Sequence, residues 1–323
     1  MRFKAGQKFI DTLRGKRKKQ KLVVTCEKEE LMTSEKPLLT VFLLTYNHED
    51  YICDTFESIL MQKTKYPFIV KILEDCSTDE TLRICKEYVS KYPQLFTLIN
   101  QKQNTKCKHF RLAIESEIHT PYWCGIEGDD YYLSSNFFEK GLNFLEANGA
   151  YNMYCGDTIL GRENQRKSLI QEAQTSYDKI GHEISLYNYI YLHVSARIYR
   201  NVFDFKSLKS YPLNDSYMYF LYLDRGKSYF EFEIVSYYRL TGKGVWSKIS
   251  PAEQEQYHIK FYLTVNRFFK GKYANIFIKW LPQSFLKSHK LIWIIKKVFG
   301  ARVAMALLSI IENKSRHLLD WEI

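Results

Sequence analysis

The densest group of reactive side chains is Glu127-Gly128-Asp129-Asp130, three carboxylates within four residues, directly after the apolar run Tyr122-Trp123-Cys124-Gly125-Ile126. The run reads as a buried strand, and Gly128 lets the backbone turn sharply at its carboxyl end. Carboxylates this crowded repel one another and need a compensating cation. Hard oxygen donors suit Mg²⁺ or Mn²⁺ better than Zn²⁺. Such an ion would in turn hold phosphate oxygens. The competing reading is a solvated acidic turn or helix N-cap, the default for an isolated Asp-Asp.

The elements that must position these groups alternate between strand and helix. Leu39 to Thr45 is a near-continuous apolar run, the pattern of a central strand buried on both faces. A helix is expected from Glu49 to Gln62, a second strand from Phe68 to Leu73, and a helix from Asp79 to Lys91 with Ser77 as its N-cap. A third strand over Phe96 to Ile99 and a helix near Lys106 to Glu117 lead to the acidic strand end. Alternation of this kind predicts an α/β fold with a mostly parallel sheet flanked by helices. Ligands of such sheets bind at the carboxyl ends of the strands. Here three strand ends carry Thr45-Tyr46-Asn47, Glu74-Asp75 and Glu127-Gly128-Asp129-Asp130. If they line one crevice, an aromatic ring and a carboxylate could bind a base while the third end holds a metal over a diphosphate.

The chain has 323 residues and a formal charge of +11, but the charge is uneven. Residues 1 to 22 hold nine Lys/Arg and one acid, residues 260 to 311 hold ten Lys/Arg and no acid, and residues 23 to 259 hold 26 bases against 32 acids. The body is acidic and only its ends are basic, which argues against a nucleic-acid partner. Basic ends rich in Phe, Trp, Ile and Leu point instead to an anionic membrane surface. No apolar run reaches the roughly 18 residues of a spanning helix, and the N-terminus lacks an apolar signal core. The seven cysteines form no Cys-x-x-Cys pair. The expectation is a reduced, cytoplasmic protein, peripheral on the inner face of a membrane. Three segments follow: a basic tail and linker over 1–36, a catalytic domain over 37–250, and a helical basic region over 251–323.

From about Pro37 to Trp246 the residues resemble a GT-A glycosyltransferase of the family 2 type. Thr45-Tyr46-Asn47 is similar to the family's opening Thr-Tyr-Asn, Glu57 to Gln62 to its first helix, and Glu74-Asp75-Cys76-Ser77-Thr78-Asp79 to its Asp-Asp-Gly-Ser-Thr-Asp signature. Glu127-Gly128-Asp129 stands where the family keeps Asp-x-Asp. The resemblance implies that Asp129 reaches the metal, that Glu127 reaches the ribose or the metal, and that Asp75 and Tyr46 contact the nucleotide base. Asn214-Asp215-Ser216-Tyr217 resembles the start of the helix whose leading Asp is the catalytic base. Tyr238-Arg239 and Gly242 to Trp246 resemble the loop that closes over the site, so Arg239 could hold the diphosphate and Trp246 could stack on substrate. Where the family often has a Gly-rich segment with an Arg, this chain has Asn104 to Arg111, in which Lys106, Lys108 and Arg111 offer cations.

The implied reaction is inverting transfer of a sugar from a nucleotide sugar, UDP being favoured, to a glycan or lipid-linked acceptor. A cation on the departing diphosphate offsets its charge, and one carboxylate takes the acceptor's proton. Asn214-Asp215-Ser216 also has the form of a helix N-cap. His193, in an expected strand over His193 to Tyr199, is a possible acceptor contact, though a structural histidine is commoner. The polar stretch from Ile159 to Gln174 reads as an acceptor-facing loop, and Asp157 as a turn residue. From Pro251 onward, Phe261, Tyr262, Val265, Phe268 and Phe269 fall on one helical face among bases, a pattern that fits membrane-surface docking or packing onto the body. Two rivals stand: a non-catalytic glycan-binding or scaffold protein on the same fold, and, behind it, an RNA-dependent polymerase suggested by Gly128-Asp129-Asp130. No P-loop, Gly-x-Ser-x-Gly elbow or His-x-x-x-His pair is present.

Overall fold

The structure is a computed structural model and describes residues 36–105, 108–162, 165–173, 175–188, 190–208, 211–242, 244, 249–281 and 290–314. The basic N-terminal segment, Lys106 and Trp246 lie outside the described residues.

The first half alternates as the apolar runs predict: β1 (Leu39–Thr45), α1 (Ile52–Leu60), β2 (Phe68–Glu74), α2 (Thr81–Lys91), β3 (Phe96–Asn100), α3 (Lys108–Glu117) and β4 (Tyr122–Glu127). The second half contains β5 (Tyr131–Tyr132), α4 (Phe137–Ala147), β6 (Tyr151–Arg162), β7 (Gln165–Ser168), β8 (Glu183–Ile184), β9 (Arg197–Arg200), α5 (Asp215–Arg225) and β10 (Lys227–Arg239). Three helices follow, α6 (Pro251–Phe268), α7 (Ala274–Trp280) and α8 (Lys290–Lys314), the last broken at Gly300, whose φ is 83°. One ten-stranded sheet has the order β3-β2-β1-β4-β9-β6-β10-β5, with β7 beside β6 and β8 beside β10. The strands β3, β2, β1, β4, β6 and β10 share one direction, while β9, β5, β7 and β8 oppose it. The mixed α/β class with a mostly parallel sheet is therefore the observed one.

Strand alternation sorts β1 onto two cores. Leu39, Val41 and Leu43 pack with α1, α2 and α4, while Phe42 packs with α3, α5 and the C-terminal helices. Both faces of β1 are covered, as its unbroken apolar run requires. Trp123 anchors the second core: its ring stacks on Tyr199 at 4.2 Å, and its indole N–H donates to the Tyr222 hydroxyl at 3.0 Å.

Several local expectations change. Ser77 does not cap α2, which starts at Thr81; its hydroxyl accepts from Asn47 N instead, and Asp79 accepts from Thr81 N. In place of a strand from His193, residues Val194–Ala196 form a 3₁₀ turn with His193 at its N-cap, close to the Ser195 amide, so β9 starts only at Arg197. The stretch after Ile159 is mostly a β6–β7 hairpin pairing Ile159 with Ser168 and Arg162 with Gln165. A one-turn helix over Leu169–Glu172 follows, closed by a Ser168/Gln171 capping box. Asp157 is a buried strand residue that accepts from the Tyr177 hydroxyl at 2.9 Å, not a turn residue.

The C-terminal helices correct the membrane-docking expectation in one respect: their apolar faces are already used. Phe261 and Val265 of α6, Phe277 and Ile278 of α7, and Ala304, Met305 and Leu308 of α8 are buried in the same core as α5. Among the described residues no helix is long and apolar enough to cross a membrane. Phe277 is 0% exposed and lies 5.8 Å from Phe220 of α5, ring centre to ring centre. Phe277→Ala should therefore cost about 3–5 kcal/mol in denaturant unfolding. A loss under about 1 kcal/mol would mean that α7 contributes little to the folded core.

Candidate active site

Parallel pairing brings the three strand ends together. Thr45 is opposite Glu74 and Leu44 opposite Glu127, so the chain leaves β1, β2 and β4 side by side. Asp75 N donates to the Thr45 carbonyl at 3.0 Å, and Gly128 N donates to the Leu44 carbonyl at 2.7 Å. The first two tips brace each other: Asn47 N donates to Ser77 Oγ, Thr78 N to Asn47 Oδ1, His48 N to Thr81 Oγ1, and Glu49 N to Asp79 Oδ2. These bonds hold two residues in the left-handed region, Asn47 at φ 54° and Cys76 at φ 62°. Such conformations persist where the surroundings over-determine them. Asp75 is buried and accepts from both the amide and the hydroxyl of Thr105 at 2.8 Å, while the Tyr46 ring is 39% exposed at the rim.

Gly128 is required by space. A Cβ there would lie 2.7 Å from both His48 Nδ1 and Thr45 Oγ1 and 2.8 Å from Ile52 Cδ1. The acidic turn is thus pressed against the first tip, and its three carboxylates diverge. Asp129 faces His48, with Oδ1 3.9 Å from Nε2. Asp130 points inward and is fully buried; Oδ1 accepts from Arg239 N at 3.0 Å, and Oδ2 has no hydrogen-bond partner. Burial, then Asp129 and Glu127, push the Asp130 carboxyl well above the usual carboxylate range.

Glu127 keeps 46% of its side chain exposed. Enclosure by the site, then Asp129 and Asp215, still raise its carboxyl. His193 closes the group: Nε2 is 3.9 Å from Glu127 Oε2 and Nδ1 is 3.5 Å from Asp130 Oδ2. Burial, then Arg197, hold its imidazole down to about 3, so it is neutral across the physiological range. One donor atom from each of Glu127, Asp130 and His193 lies within 4.8 Å of the others, the one such trio among the described residues. Two carboxylates, one with an orphaned buried oxygen, and a neutral imidazole suit a divalent cation. The metal ligands expected from sequence were Glu127 and Asp129. Glu127 is in this trio, and Asp129 stands beside it against His48.

Asp215 opens α5 on the other side of the group. Capping falls to its neighbour: Asn214 Oδ1 accepts from Tyr217 N at 3.1 Å. That frees the Asp215 carboxylate from the role that competed with catalysis in the sequence. Arg197 lies beneath it, fully buried, with a guanidinium nitrogen 4.0 Å from Asp215 Oδ2 and another donating to the Asp215 carbonyl at 3.0 Å. The same guanidinium donates to the Leu192 carbonyl and the Tyr199 hydroxyl and stacks 4.3 Å from the Tyr219 ring centre. Tyr238 of β10 joins the two sides. Its ring stacks on His193 at 4.3 Å, and its phenol is raised by burial and then by Glu127, Asp130, Asp129 and Asp215 together. Tyr238 and these four carboxylates, from three separate segments, thus share one field.

Other expected contacts are differently engaged. Arg239 pairs with Asp54 at 3.1 Å and packs against the rings of Tyr51 and Tyr131 at 4.7 and 5.3 Å. Arg111 donates to the Tyr211 and Leu208 carbonyls and pairs with Glu115, so it braces α3. Sequence reasoning placed Asp130 in the acidic turn but gave the metal to Glu127 and Asp129, missed Arg197 and Tyr191, and ranked His193 as structural. The available signal was an Arg inside an apolar strand segment, since a buried charge needs a partner.

The family model described as "Glycosyl transferase family 2" matches residues 40–205. An uncharacterized protein of Mycobacterium tuberculosis is 32% identical over 108 residues, 33% of this chain and 31% of that protein. The teichoic acid poly(glycerol phosphate) polymerase of Staphylococcus epidermidis is 33% identical over 108 residues, covering 32% and 15%. The dTDP-rhamnosyl transferase of Shigella flexneri is 28% identical over 137 residues, covering 41% and 46%. Each match thus spans less than half of the curated relative. Among solved structures, S. aureus TarS (residues 1–349) in complex with UDP-GlcNAc aligns over 87% of this chain and 93% of its own at TM-score 0.53 and 15% identity. The mannosyltransferase PcManGT from Pyrobaculum calidifontis, in complex with GDP-Man and Mn²⁺, aligns over 97% and 88% at TM-score 0.55 and 14% identity. At these identities the likeness concerns the fold.

Proposed function

The chain belongs to glycosyltransferase family 2, and from that premise we propose that it transfers a sugar from a nucleotide sugar, UDP-linked by preference, to a glycan or lipid-linked acceptor with inversion. The observation that carries this reading is the meeting of Glu127, Asp129, Asp130 and Asp215 around Tyr238. One side of the site is suited to a diphosphate's counter-ion and the other to an acceptor's proton.

Thr45, Tyr46, Asn47 and Asp75 form the rim on which the nucleotide base would rest, with Tyr46 as the exposed ring. Glu127, Asp130 and His193 would hold a divalent cation, with Asp129 adjacent. When bound, that ion, Mn²⁺ or Mg²⁺, supplies charge to the departing diphosphate. Asp215 acts as general base on the acceptor hydroxyl. Arg197 holds that carboxylate in place from below. The related structures named with UDP-GlcNAc, GDP-Man and Mn²⁺ support the donor class and the metal.

Thermal unfolding tests the donor side. UDP with Mn²⁺ at 100 times its Kd should stabilise the protein by about 2.7 kcal/mol, as a ligand that binds only the native state does. No shift with any nucleotide or nucleotide sugar, with or without Mn²⁺, would leave the non-catalytic glycan-binding reading in its place.

Peripheral attachment to an anionic membrane would rest on charge alone. Lys260, Lys270 and Lys279 are exposed on the outer side of the C-terminal helices, whose apolar faces point inward. Each such base near the surface adds about 1 kcal/mol. Co-sedimentation with phosphatidylserine vesicles should therefore fall steeply as salt rises. Binding that is insensitive to salt, or absent at low salt, would discard this reading.

A further inference from the structure

Two tyrosines flank Asp215, and one of them comes from outside the matched family region. Tyr191 precedes the 3₁₀ turn; it is 37% exposed, its hydroxyl donates to Asp215 Oδ2 at 3.4 Å, and its ring lies 5.7 Å from the Arg197 guanidinium. Tyr257 lies on α6, beyond residues 40–205. Its hydroxyl accepts from Asn214 Nδ2 at 3.5 Å, and its half-buried ring runs parallel to Phe261 at 6.4 Å. Phe261 in turn packs on Tyr217 and Phe220 of α5, so α6 is fixed to the helix that carries Asp215.

Among the described residues, the charged groups that act on this region are acidic but for Arg197. Glu127, Asp129 and Asp130 crowd one flank. The nearby Arg197 is 0% exposed, and its guanidinium is engaged by Leu192, Tyr199 and Asp215. A phosphate presented beside Asp215, away from a cation on the Glu127 flank, would meet that carboxylate's like charge, a juxtaposition that rejects partners. Aromatic rings with a polar edge accept a ligand that is apolar on its face and hydroxylated on its rim.

We propose that Tyr191 and Tyr257 form the acceptor subsite and that the accepting unit is an uncharged pyranose whose hydroxyl is presented to Asp215. On this reading the C-terminal helices complete the active site by carrying Tyr257. The proposal rests on the glycosyl-transfer reading for the role of Asp215, but its test does not use the donor. Saturation-transfer NMR on the full chain compares methyl β-D-glucopyranoside and methyl β-D-galactopyranoside with glycerol 3-phosphate.

The expected result is transfer to at least one pyranoside and none to glycerol 3-phosphate. Binding should weaken about tenfold in Tyr191→Ala and Tyr257→Ala, in line with the loss of one ring contact. Tyr257→Phe should keep most of it. Tyr191→Ala changes a partly exposed side chain, so it remains informative if Tyr257→Ala unfolds. Saturation of glycerol 3-phosphate in preference to the pyranosides, of neither probe, or of a pyranoside equally in wild type and Tyr191→Ala, overturns the subsite. A missing nucleotide shift with intact pyranoside binding would instead count against the donor reading alone.

Discussion

Replacing Asp215 with Asn should lower kcat for sugar transfer by about 10²–10⁴-fold while leaving donor KM nearly unchanged, the range for removing a positioned general base. The substitution keeps the shape and a hydrogen-bonding oxygen but cannot take a proton. The cap of α5 should survive, because it is made by Asn214, not by Asp215, but some stability should be lost as the buried Arg197 loses its carboxylate partner. Arg197 supplies a second test. It contacts Asp215 through both the carboxylate and the carbonyl, so Arg197→Lys alone should reduce kcat by loosening the base. Added to Asp215→Asn it should cost little more, since groups that act as a unit are strongly non-additive. Unchanged transfer in Asp215→Asn, with a normal melting profile, would remove the base from this position.

How much of this site could be read beforehand follows from how far apart its parts lie in sequence. The tips of β1, β2 and β4 were legible because each parallel strand is a continuous apolar run, and short alternating connections leave little choice of neighbour. Their pairing then places Thr45, Asp75 and Glu127 side by side. Local detail was harder where two hydroxyls competed for one task. Ser77 has the form of a cap, yet its oxygen serves Asn47 across the crevice. The meeting of Asp130 with His193 was hidden, because it depends on β9 pairing antiparallel to β4 after a long excursion through β6, β7 and β8. No periodicity encodes that return. In the C-terminal region the alternation of apolar and basic residues specified an amphipathic surface but not its partner. Phe261 and Phe277 satisfy the same pattern against α5 that a bilayer would have satisfied.

The second large effect concerns which acid holds the cation. The family pattern singles out Asp129, the second acidic position of Glu127-Gly128-Asp129, whereas the folded chain turns Asp130 toward Glu127 and His193. Asp130 is the more demanding residue energetically. Its Oδ2 is buried without a partner, and an ionised carboxylate in that state is costly unless a cation meets it. His193 is prepared for the same role. Its Nδ1 lies 2.8 Å from Ser195 Oγ and, as the N–H tautomer, donates to that oxygen, while the Ser195 hydroxyl donates to Ser236 Oγ at 3.0 Å, itself 2.8 Å from Thr158 Oγ1. With Nδ1 engaged, Nε2 is the nitrogen facing Glu127. Outer hydrogen bonds of this kind orient a metal-binding ring, and their loss costs about 10–100-fold in metal affinity. Mn²⁺ titrated calorimetrically should therefore bind at least as weakly to Asp130→Asn and His193→Gln as to Ser195→Ala, each well below wild type. Asp130→Asn has a second signature: it removes a buried carboxyl whose Oδ2 has no hydrogen-bond partner, so the metal-free protein should be as stable as wild type or more so while metal-dependent stabilisation is lost. If Asp129→Asn abolishes Mn²⁺ binding and Asp130→Asn leaves it intact, the cation sits on the outer side of the turn beside His48, and the orphaned oxygen of Asp130 belongs to the buried network behind it.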